Sequence, residues 1–424
     1  MALSKIQQNI PIGWKVLPIG KHIKLQGGNA FSASNYVSDG IPLVRIGNVG
    51  KGDFVASDFV YISEDEHASN ESVHLRENDI LMGMTGELGK VARIGKQYLP
   101  AILNQRVGRV VFKDKDLNPD FTFQIFLSKD FKSKLEKYFI GAAQKNISSS
   151  QVESVEVLLP PIKEQQKIAE ILGTVDEDIA KTQEVIEATE KIKRGLMQQL
   201  FTRGIAHTKF KETKIGQIPE EWDVVSIRNS SIKLIDGDRG ANYPKQEDFS
   251  PEGHCLFLSA KNVSKNGFIF DEVSFVSEEK DRALRKGKLE RGDIILTSRG
   301  TVGNVAYYDE KITFDNIRIN SGMLIVRHGE QFDPVFLYRY FSSPQMEAKY
   351  SSMGSGSAQP QLPVGSLEQV EVPLIPIKEQ KEIADIISAV NEKILINKTL
   401  KEKLIILKKG LMQDLLSGTV RTNI

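Results

Sequence analysis

A stretch from the middle of this chain returns 215 residues later, and the spacing of its landmarks does not change. Pro161-Ile162-Lys163-Glu164-Gln165 recurs as Pro376-Ile377-Lys378-Glu379-Gln380, and Gly195-Leu196-Met197-Gln198 recurs as Gly410-Leu411-Met412-Gln413. A segment whose length is held while its surface residues drift behaves as a ruler. The fold must therefore supply two equal rods, together with something for each rod to space.

The duplication extends upstream at nearly the same offset. Ile10-Pro11-Ile12-Gly13-Trp14 echoes Ile218-Pro219-Glu220-Glu221-Trp222, Asn48-Val49 matches Asn262-Val263, and Asp79-Ile80 with Gly86 and Gly89 matches Asp293-Ile294 with Gly300 and Gly303. Two copies of one unit are the simplest source of such a pattern, and 424 residues are too many for one ordinary core. The expected division is a globular domain over 1–160, a spacer over 161–203, a second globular domain over 204–375 and a second spacer over 376–424. Short apolar alternations such as Val55 to Ile62, Val91 to Ile94 and Val107 to Phe112, broken by Gly and Asn, predict α+β domains rich in turns. Asn118-Pro119 and Asp333-Pro334 place a capping side chain before a proline and predict one helix start in each copy.

The spacers predict long helices over 163–201 and 378–417. Leu172, Val175, Ile179, Ile186, Leu196 and Leu200 fall at helical spacing, as do Ile387, Val390, Ile394, Leu404, Leu411 and Leu415. Some 38 residues at about 1.5 Å each span roughly 55–60 Å. Each helix has only a stripe to bury and needs a partner. Pairing through a pseudo-two-fold axis makes the helices antiparallel, as a coiled coil with one domain at either end. The aligned pair Thr182 and Asn397 puts polar residues in that stripe, either as a register-setting contact or, the simpler reading, as a wet spot.

Charge and composition restrict the chemistry. Residues 1–160 hold 19 basic and 17 acidic groups, and 206–375 hold 21 and 24, so neither domain has the basic excess that would drive tight binding to phosphate unaided. Cys255 is the only cysteine, which excludes an internal disulfide. The histidines at 22, 67, 74, 207, 254 and 328 show no local ligand spacing, so no metal is expected. The sequence has no apolar run of membrane-spanning length, and a cytoplasmic location is expected. Asn118-Pro119-Asp120-Phe121 resembles the Asn-Pro-Pro-Phe loop of amino-methyltransferases but lacks the second proline, and a helix start explains it and its counterpart in the other copy. Gly354-Ser355-Gly356-Ser357 does not join a strand to a helix as a phosphate loop would. No catalytic constellation is expected.

Taken together, PIKEQQKIAEIL (161–172) with PIKEQKEIADII (376–387), KRGLMQQLF (193–201) with KKGLMQDLL (408–416), the openings IPIGW and IPEEW, and the loops GAAQKNIS (141–148) and GSAQPQLP (356–363) resemble the specificity subunit of type I restriction-modification systems over nearly the whole chain. The resemblance implies that each globular domain is a target-recognition domain reading one half of a split DNA site. It further implies that the paired helices fix the gap and dock two modification subunits. S-adenosylmethionine, ATP and Mg would then belong to the modification and restriction subunits, with no cofactor and no catalytic residue in this chain. A non-enzymatic coiled-coil scaffold that assembles proteins without reading DNA is the alternative.

Base readers are expected in the glycine-punctuated loops, where Arg, Asn and Gln can make paired hydrogen bonds to base edges. In the first domain these are Arg45, Asn48, Lys51, Thr85, Glu87, Lys90, Asn104, Gln105, Arg106, Gln144, Lys145 and Asn146. In the second they are Arg239, Lys261, Asn262, Lys265, Ser298, Arg299, Thr301, Asn304, Arg318 and Asn320. Discrimination is expected where the copies differ. Gln144 and Gln359 align with each other, which points to a shared structural role.

Overall fold

Ile80-Leu81-Met82-Gly83 is an unbroken apolar run, and it forms a strand that is buried on both faces. Alternate side chains of a strand point to opposite sides, so Ile80 and Met82 enter one core with Trp14, Phe121 and Phe126. Leu81 enters another with Leu43, Ile102 and Leu103. The computed structural model that shows this describes residues 10–87, 89–139, 146–354 and 361–422. It divides into unit 1, residues 1–182 with 399–424, and unit 2, residues 183–398.

In unit 1 an antiparallel sheet runs in the order Ile23–Gly27, Val107–Phe112, Ile80–Gly83, Val91–Arg93. A second sheet has Ile41–Val44 between Val60–Ile62, antiparallel, and Ile102–Leu103, parallel. A third pair joins Lys15–Pro18 to Glu156–Leu159, with Lys15 opposite Leu159. Unit 2 repeats this plan. Its four-stranded sheet is Lys233–Asp236, Met323–Arg327, Ile294–Thr297, Val305–Tyr307, and its three-stranded sheet sets Cys255–Leu258 between Phe275–Val276 and Ile317–Ile319. Asp223–Ser226 pairs with Glu371–Leu374 as the closing pair. Ile294 and Leu296 face one core while Ile295 faces another, just as in unit 1.

Four helices recur below: α1 (Pro119–Leu127), α2 (Ile162–Arg203), α3 (Pro334–Phe341) and α4 (Ile377–Ser417). The unit boundaries fall inside α2 and α4. Within unit 1 the first part of α2 lies against the last part of α4, where Asp176 pairs with Lys408 at 2.6 Å. Within unit 2 the last part of α2 lies against the first part of α4, where Glu190 pairs with Lys398 at 2.8 Å.

The apolar helix positions do more than line a helix seam. Leu172 and Leu415 belong to the core of unit 1, and Leu200 and Ile387 to that of unit 2. Val175, Ile186 and Ile394 are also buried, whereas Ile179, Leu196, Val390, Leu404 and Leu411 are half-buried. Thr182 donates to the carbonyl of Asp178 and Asn397 to that of Lys393. Each satisfies itself on its own helix, which favours the wet-spot reading over a register contact.

Candidate nucleic-acid interface and the clasps that anchor it

The glutamine of the repeated Pro-Ile-Lys-Glu-Gln motif ties the long helix to its domain. Gln165 is buried; its Oε1 accepts the amide of Asn118, and its Nε2 donates to the carbonyls of Asp116 and Pro160, all at 2.9 Å. Asn118 in turn caps α1 by accepting the Phe121 amide at 2.9 Å. Gln380 repeats the arrangement: it accepts the amide of Asp333 at 2.8 Å and donates to the carbonyls of Gln331 and Ile375. Asp333 caps α3 through the amides of Val335 and Phe336. The Asn-Pro and Asp-Pro sequences are thus helix caps in both copies.

The neighbouring glutamate closes each unit on itself. Glu164, fully buried, accepts the indole N–H of Trp14 at 3.0 Å and two guanidinium bonds from Arg421 at 2.7 and 2.9 Å. Arg421 also donates to the carbonyl of Ile12 at 3.1 Å. Burial pushes the Glu164 carboxyl up, but the bonds from Arg421 and Trp14 outweigh it and hold the group below its ordinary value. In unit 2, Glu379 accepts the indole N–H of Trp222, the amide of Ile205 and Nε2–H of His207, each at 2.9 Å. The Ile-Pro-x-x-Trp opening and the motif glutamate are therefore two halves of one clasp. Both helices end in a glycine of positive φ, Gly204 (+62°) and Gly418 (+73°). A Cβ at Gly204 would stand 2.6 Å from the Trp222 ring, and one at Gly418 2.4 Å from Pro11, so only glycine lets the chain turn beneath the clasp.

With the scaffold fixed, several loops converge in each unit. In unit 1 Thr85 bridges Asn146, the amide of Met84 bonds the carbonyl of Arg106, and Lys51 bridges Val91. Residues 50–52, 84–87, 89–91, 104–106 and 146 are thereby brought together. In unit 2 Arg299 bridges Gln361, the amides of Ser298 and Arg299 both bond the Gly322 carbonyl, and Arg239 reaches the carbonyl of Ser321. The same plan results, with Gln361 and Lys132, which lies against Gly89, as members that sequence reasoning missed. The bridge positions Thr85/Arg299 and Asn146/Gln361 correspond between copies, a signal that could have found Gln361.

The expected readers separate into three groups. Asn48 is buried; it accepts the amide of Arg45 and donates to the carbonyls of Val55 and Ser57. Asn262 does the same with Ser259, Ile269 and Glu272. Arg318 is buried in an ion pair with Asp281, Asn104 accepts the amide of Arg106, Asn304 donates to Val263, and Asn320 accepts the amide of Gly322. Ser298 is buried, and Arg45 donates to the carbonyl of Asp58. These side chains are occupied in holding loops together. A second group sits in surface ion pairs: Lys51 with Glu87 at 2.6 Å, Lys265 with Glu347 at 2.6 Å, and Arg239 with Asp236 at 3.1 Å. The third group, Gln105, Arg106, Asn146, Lys261, Arg299 and Thr301, is exposed, and Thr85 and Lys90 are half-exposed. Gln144, Lys145 and Gln359 lie outside the described residues.

Folding also brings together groups that local spacing does not reveal. His22, Asp114 and Asp116 offer ligand atoms within 4.8 Å of one another, a geometry that could hold a metal. The His22–Asp114 bond at 2.8 Å and the Asp116 amide donated to Asp114 account for the arrangement without an ion. Burial pushes the Cys255 thiol up to about 12, so it is no nucleophile at neutral pH.

Comparison with known proteins places this geometry. The family model described as the type I restriction modification DNA specificity domain matches residues 11–190 and 219–405. The chain is similar to the type I restriction enzyme MjaVIII specificity subunit of Methanocaldococcus jannaschii, at 28% identity over 97% of this chain and 94% of that one. It is also similar to the EcoBI specificity subunit of Escherichia coli, at 24% identity over 87% of this chain and 77% of that one. The crystal structure of a type I restriction-modification S subunit from M. genitalium shares its fold, with a TM-score of 0.58 at 17% identity and 96% of both chains covered.

Proposed function

Since the chain belongs to the family of type I restriction-modification DNA specificity domains, we propose that it is the sequence-reading subunit of such a system. Each globular domain reads one half of a split DNA site, and α2 and α4 fix the gap and dock two modification subunits. The observation that carries this reading is the contrast between scaffold and loops. Both units hang on the same Trp–Glu and Gln–cap bonds, while the converging loops present Gln105, Arg106 and Asn146 in one unit and Lys261, Arg299 and Thr301 in the other. Unlike readers on a like scaffold recognise two different half-sequences.

The chain itself performs no catalysis in this reading. S-adenosylmethionine, ATP and Mg serve the modification and restriction subunits, and the assembly works in the cytoplasm. Among the described residues no helix is long and apolar enough to cross a membrane. With no basic excess in either domain, the partners supply part of the phosphate contact.

Mapping the adenines methylated by the assembled system tests the proposal. Four residues inserted into α2 lengthen it by about 6 Å, and one base pair occupies about 3.4 Å. The gap between half-sites then grows by about one to two pairs with both half-sequences unchanged. Altered half-sequences at a constant gap would overturn the spacer role. Absence of any sequence preference, with and without a modification subunit, would overturn the reading as a whole.

A further inference from the structure

At three matched positions the two units carry the same backbone and opposite charge logic. In unit 1, Asp176 of α2 accepts Nε2–H of Gln124 at 2.8 Å and pairs with Lys408 at 2.6 Å. One carboxylate accepts from an amide N–H and from an ammonium. The repeat places Arg339, Asn391 and Lys193 at the corresponding positions of unit 2. There the carboxylate has become an amide and the amide a guanidinium, so the cluster gains one cation, loses its one anion and rises by two in net charge.

The consequences are visible in the packing. Arg339 donates to Ser388 Oγ at 3.2 Å and lies over the Tyr338 ring at 4.8 Å. Its Nε and the Nδ2 of Asn391 are buried without an acceptor among the described residues. Ser388 and Asn391 are three apart on α4 and share a face. Burial, then the field of Arg339, lowers the proton affinity of Lys193. Glu190 acts in the other direction but is itself paired with Lys398 at 2.8 Å. Buried donors without acceptors are unfavourable, as are half-buried cations without a paired counter-ion, and an anion would relieve both together.

We propose that Lys193, Arg339 and Asn391 form a carboxylate-binding site, filled in the assembled complex by an Asp or Glu side chain of the modification partner. The partner carboxylate supplies the acceptor that Asp176 supplies in unit 1 and that Asn391, at the matching position, does not. A carboxylate is favoured over phosphate because unit 1 solves the same geometry with one. Identity of the partner rests on the function proposed above, whereas the anion site does not.

The test transfers the unit 1 residues. In the wild-type chain, acetate raises the thermal unfolding midpoint above that in chloride at equal ionic strength. N391D is more stable in chloride, loses the acetate response and binds the modification subunit at least about tenfold more weakly, a loss equivalent to about 1.4 kcal/mol. R339Q, the second variant, also loses the acetate response. An N391D chain that binds the partner like wild type overturns the docking role, and stabilisation by phosphate but not acetate overturns the carboxylate assignment in favour of a nucleic-acid phosphate. A wild-type chain that binds no modification subunit overturns the proposed function, while the acetate response still decides the site.

Discussion

The two clasps use the same tryptophan and the same glutamate but complete them differently. In unit 1 the third partner is Arg421, which follows the end of α4 and is tied to Trp14 by no nearby covalent link. It makes two bonds to Glu164 and one to Ile12. In unit 2 the third partners are the Ile205 amide and His207, carried on the loop that runs from α2 to Trp222. Where the chain itself supplies proximity, little loop-closure entropy remains to be overcome, and a backbone donor with an imidazole suffices. Where it does not, a bidentate guanidinium–carboxylate pair, the stronger kind of hydrogen bond, holds the ends together.

Removing the shared glutamate is the most severe way to probe that comparison. Glu164→Ala leaves the Trp14 indole N–H and Arg421 without their acceptor, and is expected to cost unit 1 about 3 kcal/mol. Trp14 and Trp222 are the only tryptophans, one per clasp, so denaturant unfolding followed by fluorescence in a Trp222→Phe background reports unit 1 alone. An unchanged midpoint would break the clasp as a stabilising device.

Next in size is the contrast between loop staples and exposed readers. Asn48→Ala or Asn262→Ala removes a buried amide that makes three bonds to the backbone in each case, at a cost of about 2 kcal/mol. Arg299→Ala, on an exposed side chain, stays within about 0.5 kcal/mol and shows its effect in the methylated half-sequence. If Arg299→Ala leaves the methylome unchanged, Arg299 is not a reader.

This pair also marks how far the sequence could be read. Repeat length, α+β character, long helices and capped Pro119 and Pro334 follow from local pattern, because spacing and caps are short-range signals. The work of the repeated Glu-Gln is long-range: Glu164 meets Trp14 across 150 residues and Arg421 across 257. Arg421 stands three residues after Gly418 as His207 stands three after Gly204, but the two residue types differ, so the repeat marks the position without revealing the bond. Asn48 and Asn262 were expected among the readers although they match across copies. Like Gln144 and Gln359 they align between the copies, and a residue kept in two unlike readers serves what the readers share.

Single third partners give a finer break. Arg421→Ala weakens unit 1 more than His207→Ala weakens unit 2, because the Ile205 amide still serves Glu379; equal losses would remove the distinction drawn above. Acid sharpens it in unit 1. The Glu164 carboxyl is held below its ordinary value, so its contribution is complete at neutral pH and is lost as pH falls through the folded value. Protection of the Trp14 indole N–H from exchange, taken relative to a free indole at the same pH, should be constant near neutrality and fall on acidification. Protection that holds on acidification through the range where the clasp should open, with the fold intact by circular dichroism, would contradict the assignment.

The smallest expected effect has the opposite sign. Gly195 and Gly410 sit inside helices, at matching positions of a motif kept in both copies, yet nothing stands within 4 Å of where a Cβ would lie. Glycine in an exposed helix interior costs about 1 kcal/mol relative to alanine, and no contact among the described residues offsets that. Gly195→Ala and Gly410→Ala are therefore each expected to stabilise the isolated chain by about that amount in denaturant unfolding. A modification subunit whose backbone approaches these glycines closely supplies a reason for keeping them, and in that case the same substitutions weaken the complex while strengthening the free chain. A destabilised free chain would show instead that the glycines serve the helices themselves.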